Sequence, residues 1–97
     1  MKVEIDEAAE DELVKAVEWY DRQSSTAGDE FLDEFHRAVQ RIAAFPTAWP
    51  KVSRHARRCR LHRFPYGVVY QIRRKVAVIF ALMHLHRKPG YWQNRER

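Results

Sequence analysis

The spacing of apolar residues changes partway along the chain from a helical period to a strand period, and few folds accommodate that order. Up to about residue 45 the apolar residues recur every three or four positions, whereas from Arg57 they alternate with charged residues. The first spacing predicts amphipathic helices, and the second predicts strands with one buried face. The sequence therefore predicts an α+β domain in which the helices precede most of the strands.

Two helices are predicted in the first half. Asp6 is suited to cap the start of the first helix, and Ser24–Gly28 reads as the turn to a second helix over Asp29–Ala44. The first helix should bury one stripe and present Glu7, Asp11 and Glu18 to solvent. The residues of that stripe are Ala9, Leu13, Ala16 and Tyr20. The second helix has a wider apolar face, which indicates burial against two neighbours: Phe31, Leu32, Phe35, Ala38, Val39, Ile42, Ala43 and Phe45.

Pro46 and Pro50 bracket the loop after the second helix, and its Trp49 is expected to cover the core. A short strand is predicted before the helices, and three consecutive strands, forming an antiparallel meander, after them. The four predicted strands are Lys2–Ile5, Arg57–His62, Val68–Arg73 and Val76–Met83, and turns separate the last three. On the last strand we expect one core-facing set that His84 shares: Val76, Val78, Phe80 and Leu82. The predicted fold is β-α-α-β-β-β, a two-helix hairpin packed on a small, mainly antiparallel twisted sheet, in a single domain spanning residues 1–97.

Charge is divided unevenly between the two halves. Residues 1–50 carry five Lys or Arg against twelve Asp or Glu, a net charge of −7, and residues 51–97 carry thirteen against one, a net charge of +12. A basic surface of this kind attracts polyanions or an acidic protein surface and speeds their encounter. The sequence therefore favours a charged macromolecular partner.

Several classes of protein are disfavoured. Cys59 is the only cysteine, so no internal disulfide is possible. The N-terminus lacks the apolar run of a signal peptide, and the longest apolar run, Val76–Met83, is far shorter than a membrane helix, so we expect a cytoplasmic protein with no membrane partner. His84 and His86 are not accompanied by the carboxylate or second cysteine of a metal site, and nucleotide-binding motifs are absent. No metal and no small-molecule cofactor are expected.

Basic residues cluster along the second strand, where Arg58 and Arg60 should share one face with His62. Guanidinium groups bind phosphates and carboxylates through paired hydrogen bonds, so this row is a candidate binding surface. The alternative is a solvated edge strand that positive charge protects from aggregation. The candidates for binding phosphate or a target are Arg57, Arg58, Arg60, Arg63, Arg87 and Arg95.

The segment after the last strand contains most of the remaining reactive side chains, and a Pro89–Gly90 turn should fold it back. His84, Arg87 and Tyr91 are the catalytic candidates, because imidazole and phenol groups move protons and a guanidinium stabilises charge. His84 is equally expected to be a hydrogen-bonded residue at the margin of the core. Trp92 is expected to pack.

Two segments carry a family resemblance: Arg60-Leu-His-Arg-Phe-Pro-Tyr-Gly-Val-Val-Tyr70 and the closing pattern H-x-H-R-K-P-x-Y-W-x-x-R. Together with the order of elements from Glu7 to Arg95, they resemble the RelE/ParE superfamily of type II toxins, often called plasmid stabilisation proteins. The Arg-Phe-Pro-Tyr segment is closer to the ParE-like branch. The resemblance implies a toxin that causes growth arrest and a cognate antitoxin that neutralises it.

The resemblance implies two targets. RelE-like members cleave mRNA in the ribosomal A site, for which Arg58, Arg60 and Arg63 would supply phosphate charge, Arg87 would stabilise the transition state, and His84 or Tyr91 would move protons. ParE-like members bind DNA gyrase and are not themselves hydrolytic enzymes. Lysines are scarce around the candidate centre, so we favour gyrase, with the ribosome-dependent mRNA endonuclease as the alternative. A non-toxic module that binds antitoxin or nucleic acid is the second alternative.

Overall fold

The computed structural model describes residues 1–88 and 90–96, and its order of elements confirms the predicted α+β fold. Neither long helix in these ranges is apolar enough to cross a membrane. The elements are β1 (Lys2–Ile5), α1 (Glu7–Gln23), α2 (Ala27–Ala44), β2 (Arg57–Arg60), β3 (Tyr66–Arg73), β4 (Val76–His84) and a 3-10 helix, η1 (Gln93–Arg95).

The four strands form one mixed sheet in the order β1-β4-β3-β2. The strands β2, β3 and β4 make the predicted antiparallel meander. The turn between β3 and β4 uses Arg74 and Lys75 with φ of 51° and 65°, the left-handed conformation of a tight hairpin. β1 pairs parallel with β4, with Lys2 opposite Val76. The helical hairpin returns the chain to the end of the sheet at which β1 begins, and the meander that follows gives β4 the same direction as β1.

The first helix forms as predicted, and the second begins earlier than predicted. The Asp6 carboxylate accepts a hydrogen bond from the Ala9 amide at 3.2 Å, which caps α1. The turn ends at Thr26, and α2 already includes Gly28, which we expected in the turn. Gly28 lies against Asp21 so closely that an added Cβ would be 1.8 Å from a carboxylate oxygen. A side chain at this position would require the Asp21 carboxylate to move, and Gly28 lies within α2, so it does not mark the turn.

The end of α2 departs from the predicted core. Phe45 was expected on the buried stripe, but it is the C-terminal cap residue and its side chain is 64% exposed. The helix ends at Ala44, so its periodicity no longer determines where the next side chain points. Trp49 packs against the core instead, as predicted, and its indole Nε1 donates to the Arg41 carbonyl at 3.4 Å.

A β-bulge overturns the predicted core face of β4. Val69 lies opposite Ala81, and the next residue, Tyr70, lies opposite Ile79, so Phe80 is the extra residue of β4. The helix-facing residues are therefore Ala77, Ile79 and Leu82, and Phe80 points to the other face. The expected single set, Val76, Val78, Phe80 and Leu82, was wrong because it assumed uninterrupted alternation.

The sheet consequently has a core on each face. The helices cover one face, around Phe31, Ile42 and Tyr70. The segment after β4 covers the other face, where Trp92 is 3% exposed and packs edge-on against Phe80 with ring centroids 5.6 Å apart. The predicted packing role of Trp92 is confirmed. Of the predicted Pro89–Gly90 turn, Pro89 lies outside the described residues, and Gly90 has φ of 85°.

A buried carboxylate ties α2 to the chain after β2. Glu34 is 4% exposed; its Oε1 accepts from the His62 amide at 3.1 Å and its Oε2 from Arg37 Nη1 at 2.8 Å. Burial by itself would raise the pKa of Glu34, but the hydrogen bonds from Arg37 and from the His62 and Arg63 amides hold it below 4.5. Glu34 is therefore ionised at neutral pH and stabilises the folded state in that form.

Replacing Glu34 by Gln should lower the free energy of unfolding at pH 7 by about 1–3 kcal/mol. The amide of Gln is uncharged and has a single acceptor oxygen, so it cannot replace both hydrogen bonds that the carboxylate accepts from His62 and Arg37. The native pKa of Glu34 is depressed, so this stabilisation is complete above the unfolded value near 4.5 and disappears as pH falls through the native pKa. Urea unfolding of both proteins between pH 3 and 7 measures the difference. The exposed neighbour Asp33, changed to Asn, is the control, and a difference between wild type and Glu34→Gln that does not shrink in acid would contradict this account.

Candidate functional site

A second carboxylate, on Glu12, joins α1, β4 and the C-terminal segment. Its Oε1 accepts from the Leu82 amide at 3.1 Å and from Arg95 Nη1 at 2.8 Å, and its Oε2 accepts from the Tyr91 hydroxyl at 2.6 Å. The Glu12 side chain is only 16% exposed. A carboxylate this far from water needs several donors, and here they come from β4 and from the C-terminal segment, both of which Glu12 joins to α1.

Arg87 and Arg95 lie on the Tyr91 ring, so the structure brings three of the predicted site residues together. The Arg87 guanidinium carbon is 3.7 Å from the ring centroid and that of Arg95 is 5.3 Å away. Arg95 also donates to the Phe80 carbonyl at 3.2 Å, and its side chain is 27% exposed. Arg87 approaches Glu12 only to 3.9 Å and is 55% exposed. Arg95 therefore holds the C-terminal segment against α1 and β4, whereas Arg87 presents its charge to solvent.

The Tyr91 phenol is held in its protonated form. Burial raises the pKa of Tyr91, the hydrogen bond and charge of Glu12 raise it further, and Arg87 and Arg95 oppose this only in part. A phenol that donates to a carboxylate and holds its proton this firmly is poorly suited to act as a base or to release a proton near neutral pH.

His84 lies at the margin of the helix-side core. Its ring packs edge-on against Tyr66 with centroids 5.1 Å apart, and its Nδ1 accepts from the His86 amide at 3.1 Å. This leaves Nε2 as the nitrogen available to another molecule. The position matches the core-margin role expected as an alternative to catalysis.

The arginine row on β2 is only partly available for binding. Arg57 Nη1 donates to the carbonyls of Thr47 at 3.0 Å and Trp49 at 2.8 Å, so it holds the preceding loop. Arg63 forms an ion pair with Glu30 at 2.8 Å, in which both side chains are largely exposed. Such pairs are weak and exchange easily, so Arg63 can still reach a partner.

Arg58 and Arg60 do lie on one side of β2, as predicted. With His62 and Trp49 they line a shallow pocket of about 220 Å³ at the edge of the sheet. The Arg58 side chain crosses Gly67, where an added Cβ would lie 2.7 Å from its Cδ. Glycine at this position therefore permits Arg58 to lie flat across β3.

Arg58 also borders a cavity of about 270 Å³ on the face of the sheet that the helices do not cover. Val52, Met83 and Trp92 form apolar parts of its wall. The Trp92 indole Nε1 is buried and has no hydrogen-bond partner among the described residues. The cavity therefore offers the Arg58 guanidinium to a ligand, whereas the indole N–H of Trp92 is shielded from solvent.

A third concavity, which the sequence patterns did not predict, lies between α1 and the end of β4. This α1–β4 groove has a volume of about 260 Å³; its lining includes Glu12, Lys15, Trp19, Tyr66, His84 and Arg87. Glu12 lies three residues after the buried Ala9 and four before the buried Ala16. An acidic residue bordering the apolar stripe, in a chain with so basic a second half, was the available signal.

Metal binding finds no geometric support in the part of the chain that the structure describes. No three His, Cys, Asp or Glu side chains within residues 1–88 and 90–96 come together as ligands would.

One comparison with known proteins identifies a family, and another identifies a solved structure of similar fold. The model of the family described as "ParE toxin of type II toxin-antitoxin system, parDE" matches residues 3–89. A solved structure described as "Chromosomal ParDE TA system from P. aeruginosa" aligns with a TM-score of 0.66 and 14% identity, covering 89% of this chain and 97% of that one. At that identity the alignment shows a shared fold, which confirms the predicted architecture. No curated protein sequence matches the chain significantly.

The hydrogen bond between Glu12 and Tyr91 should be measurable by a double-mutant cycle. We expect Glu12→Gln and Tyr91→Phe to be coupled by about 1.5–3 kcal/mol in the free energy of unfolding, because the bond joins a neutral donor to a charged acceptor. The matched control pairs Glu12→Gln with Tyr70→Phe. Burial raises the pKa of Tyr70 to about 12, and its hydroxyl donates to the Pro46 carbonyl, a partner that Glu12 does not share. Additive effects of Glu12→Gln and Tyr91→Phe would show that the contact contributes nothing.

Proposed function

This chain belongs to the ParE toxin family of type II toxin–antitoxin systems, and on that premise we propose that it arrests bacterial growth by binding DNA gyrase. In this proposal it acts as a binding protein, and its cognate antitoxin prevents the contact. The observation that carries the proposal is the internal use of the Tyr91 phenol, one of the groups that would have to move protons in a nuclease.

Cleavage of RNA by its own 2′-hydroxyl requires a base, an acid and a cation for the charge that develops on the phosphate. The Tyr91 hydroxyl donates a hydrogen bond to Glu12, and the raised pKa of the phenol keeps it protonated. His84 has one nitrogen occupied by the His86 amide and its ring packed on Tyr66. The fold therefore uses the Tyr91 phenol and leaves only Nε2 of His84 for proton transfer. At most one of the two proton-moving groups that cleavage needs is available, which supports a non-hydrolytic activity.

The cations that remain exposed suit a binding surface. Arg87 is exposed in the segment after β4, and on β2 Arg60 is exposed and Arg58 half-buried. Guanidinium groups are common at the centre of protein interfaces because they pair with carboxylates and stack on rings. We propose that Arg87, already supported by the Tyr91 ring, contacts an acidic surface of gyrase.

One observation favours the ribosome-dependent mRNA endonuclease as a second candidate. The cavity beside Arg58 has a guanidinium in its wall, which would suit a phosphate or another anion. An RNA strand lying across that face of the sheet would meet this charge, and the buried indole N–H of Trp92 would have to be uncovered before it could contribute.

Two assays on purified protein separate these candidates. We expect the protein to block the supercoiling of relaxed plasmid by gyrase and to leave mRNA on translating ribosomes intact. Arg87→Ala should weaken gyrase inhibition about tenfold, the effect of losing about 1.4 kcal/mol of binding free energy. Arg22→Ala, which removes an exposed arginine from α1, is the matched control and should inhibit normally.

The opposite pattern would decide against the proposal. Messenger RNA cut in the ribosomal A site, with gyrase unaffected, would assign the nuclease activity. If neither target is affected and expression of the chain leaves growth normal, the protein is a module that binds its partner without toxicity.

A further inference from the structure

The α1–β4 groove presents an exposed aromatic wall that the fold does not use. Trp19 is 49% exposed, yet it is held edge-on against Tyr20 with ring centroids 4.9 Å apart. Tyr66 and Leu82 line the groove as well. A large, exposed aromatic ring beside a concavity is typical of a site that receives an apolar side chain from a partner.

The charges at the rim of the groove are positive on balance. Lys15 is exposed on α1, and Arg87 extends from the segment after β4 with 55% of its side chain exposed. The Glu12 carboxylate also lies in the groove, but its oxygens already accept from Leu82, Tyr91 and Arg95. An incoming carboxylate therefore meets two cations and a negative charge that is already compensated.

We propose that the α1–β4 groove binds a segment of the cognate antitoxin that presents one apolar anchor and one carboxylate. One aromatic or large aliphatic side chain of that segment packs against Trp19 and Tyr66, and a neighbouring carboxylate pairs with Lys15 and Arg87. The proposal rests on the proposed toxin function, and it adds where on this chain the antitoxin docks and which residue types it brings.

The groove suits a peptide better than a nucleic acid. The outer face of α1 carries Glu7, Asp11 and Glu18, all exposed, which would repel a phosphate chain extending along the helix. A short peptide needs only one anchor and one charge at this position, and segments that fold on binding commonly use such anchors.

Docking here would also explain neutralisation. Arg87 is shared between the groove and the surface that we propose contacts gyrase. A carboxylate paired with Arg87 removes the charge that the target would otherwise meet, so the antitoxin and the target compete for one side chain.

The test is a calorimetric titration with the protein encoded by the reading frame adjacent to that of this chain. Trp19→Ala and Lys15→Glu should each weaken binding by about tenfold or more. Val14→Ala, a change to a side chain that is 50% exposed on the same helix outside the groove, and Arg54→Glu in the loop before β2 should bind within about twofold of the wild type. Lys15 is exposed, so its variant keeps the test valid if Trp19→Ala fails to fold.

Trp19 supplies an independent readout, because its emission should shift to the blue when the antitoxin covers it. The shift should be present in the wild type and absent from Trp19→Phe, which leaves Trp49 and Trp92 as the remaining indoles. Groove variants that bind like the wild type would overturn the proposal. Weakening by Arg54→Glu alone, or no complex with the wild type, would overturn it equally.

The outcomes are distinct from those that test the target. A chain that binds its antitoxin through the groove but leaves gyrase active would contradict the gyrase proposal alone. A chain that inhibits gyrase and binds its antitoxin elsewhere would contradict the groove proposal alone.

Discussion

Strand β4 is longer than its parallel neighbour β1, and the arrangement around the candidate site follows from how the exposed edge of β4 is satisfied. β1 ends at Ile5, opposite Ile79, whereas β4 continues to His84. Past that point the backbone groups that face β1 have no strand to pair with, and buried backbone groups left unpaired are costly. The Leu82 amide donates to Glu12, and the Phe80 carbonyl accepts from Arg95. Two side chains that also pair with each other thus take the place of the missing strand.

This solution determines which groups remain for function. Glu12 accepts a hydrogen bond from the Leu82 amide of β4. In the same position it accepts a hydrogen bond from the Tyr91 hydroxyl, so the phenol serves to hold the C-terminal segment against the sheet. Arg95 is used in the same way. Arg87 also lies against the Tyr91 ring, but its side chain remains exposed. The same network that removes a phenol from acid–base chemistry therefore places a guanidinium firmly at the surface, which is more useful to a binding protein than to a nuclease.

Local patterns predicted the helices, the meander and the Asp6 cap, because each depends on residues within a few positions of one another. Two of the departures depend on contacts between residues that are distant in the chain. The bulge at Phe80 lets one strand serve two cores, and alternation alone gives no sign of it. The role of Glu12 depends on Leu82 and on Arg95, 70 and 83 residues away. The exposed tail residue Arg87 was identifiable from its type and place in the chain, but its dependence on Tyr91 and Glu12 was not.

The division of charge along the sequence becomes a division between layers, with pairs where the layers meet. Glu12 with Arg95 and Glu30 with Arg63 each join an acidic helix to the basic half of the chain. These contacts use up acids that border the sheet and leave the outer face of α1 acidic, while Arg58 and Arg60 stay uncompensated on β2 in the described structure. A molecule polarised in this way turns its sheet edge and C-terminal segment toward an acidic partner during encounter. Orientation by charge thus favours approach at the surfaces around Arg87, where an antitoxin and a target would compete.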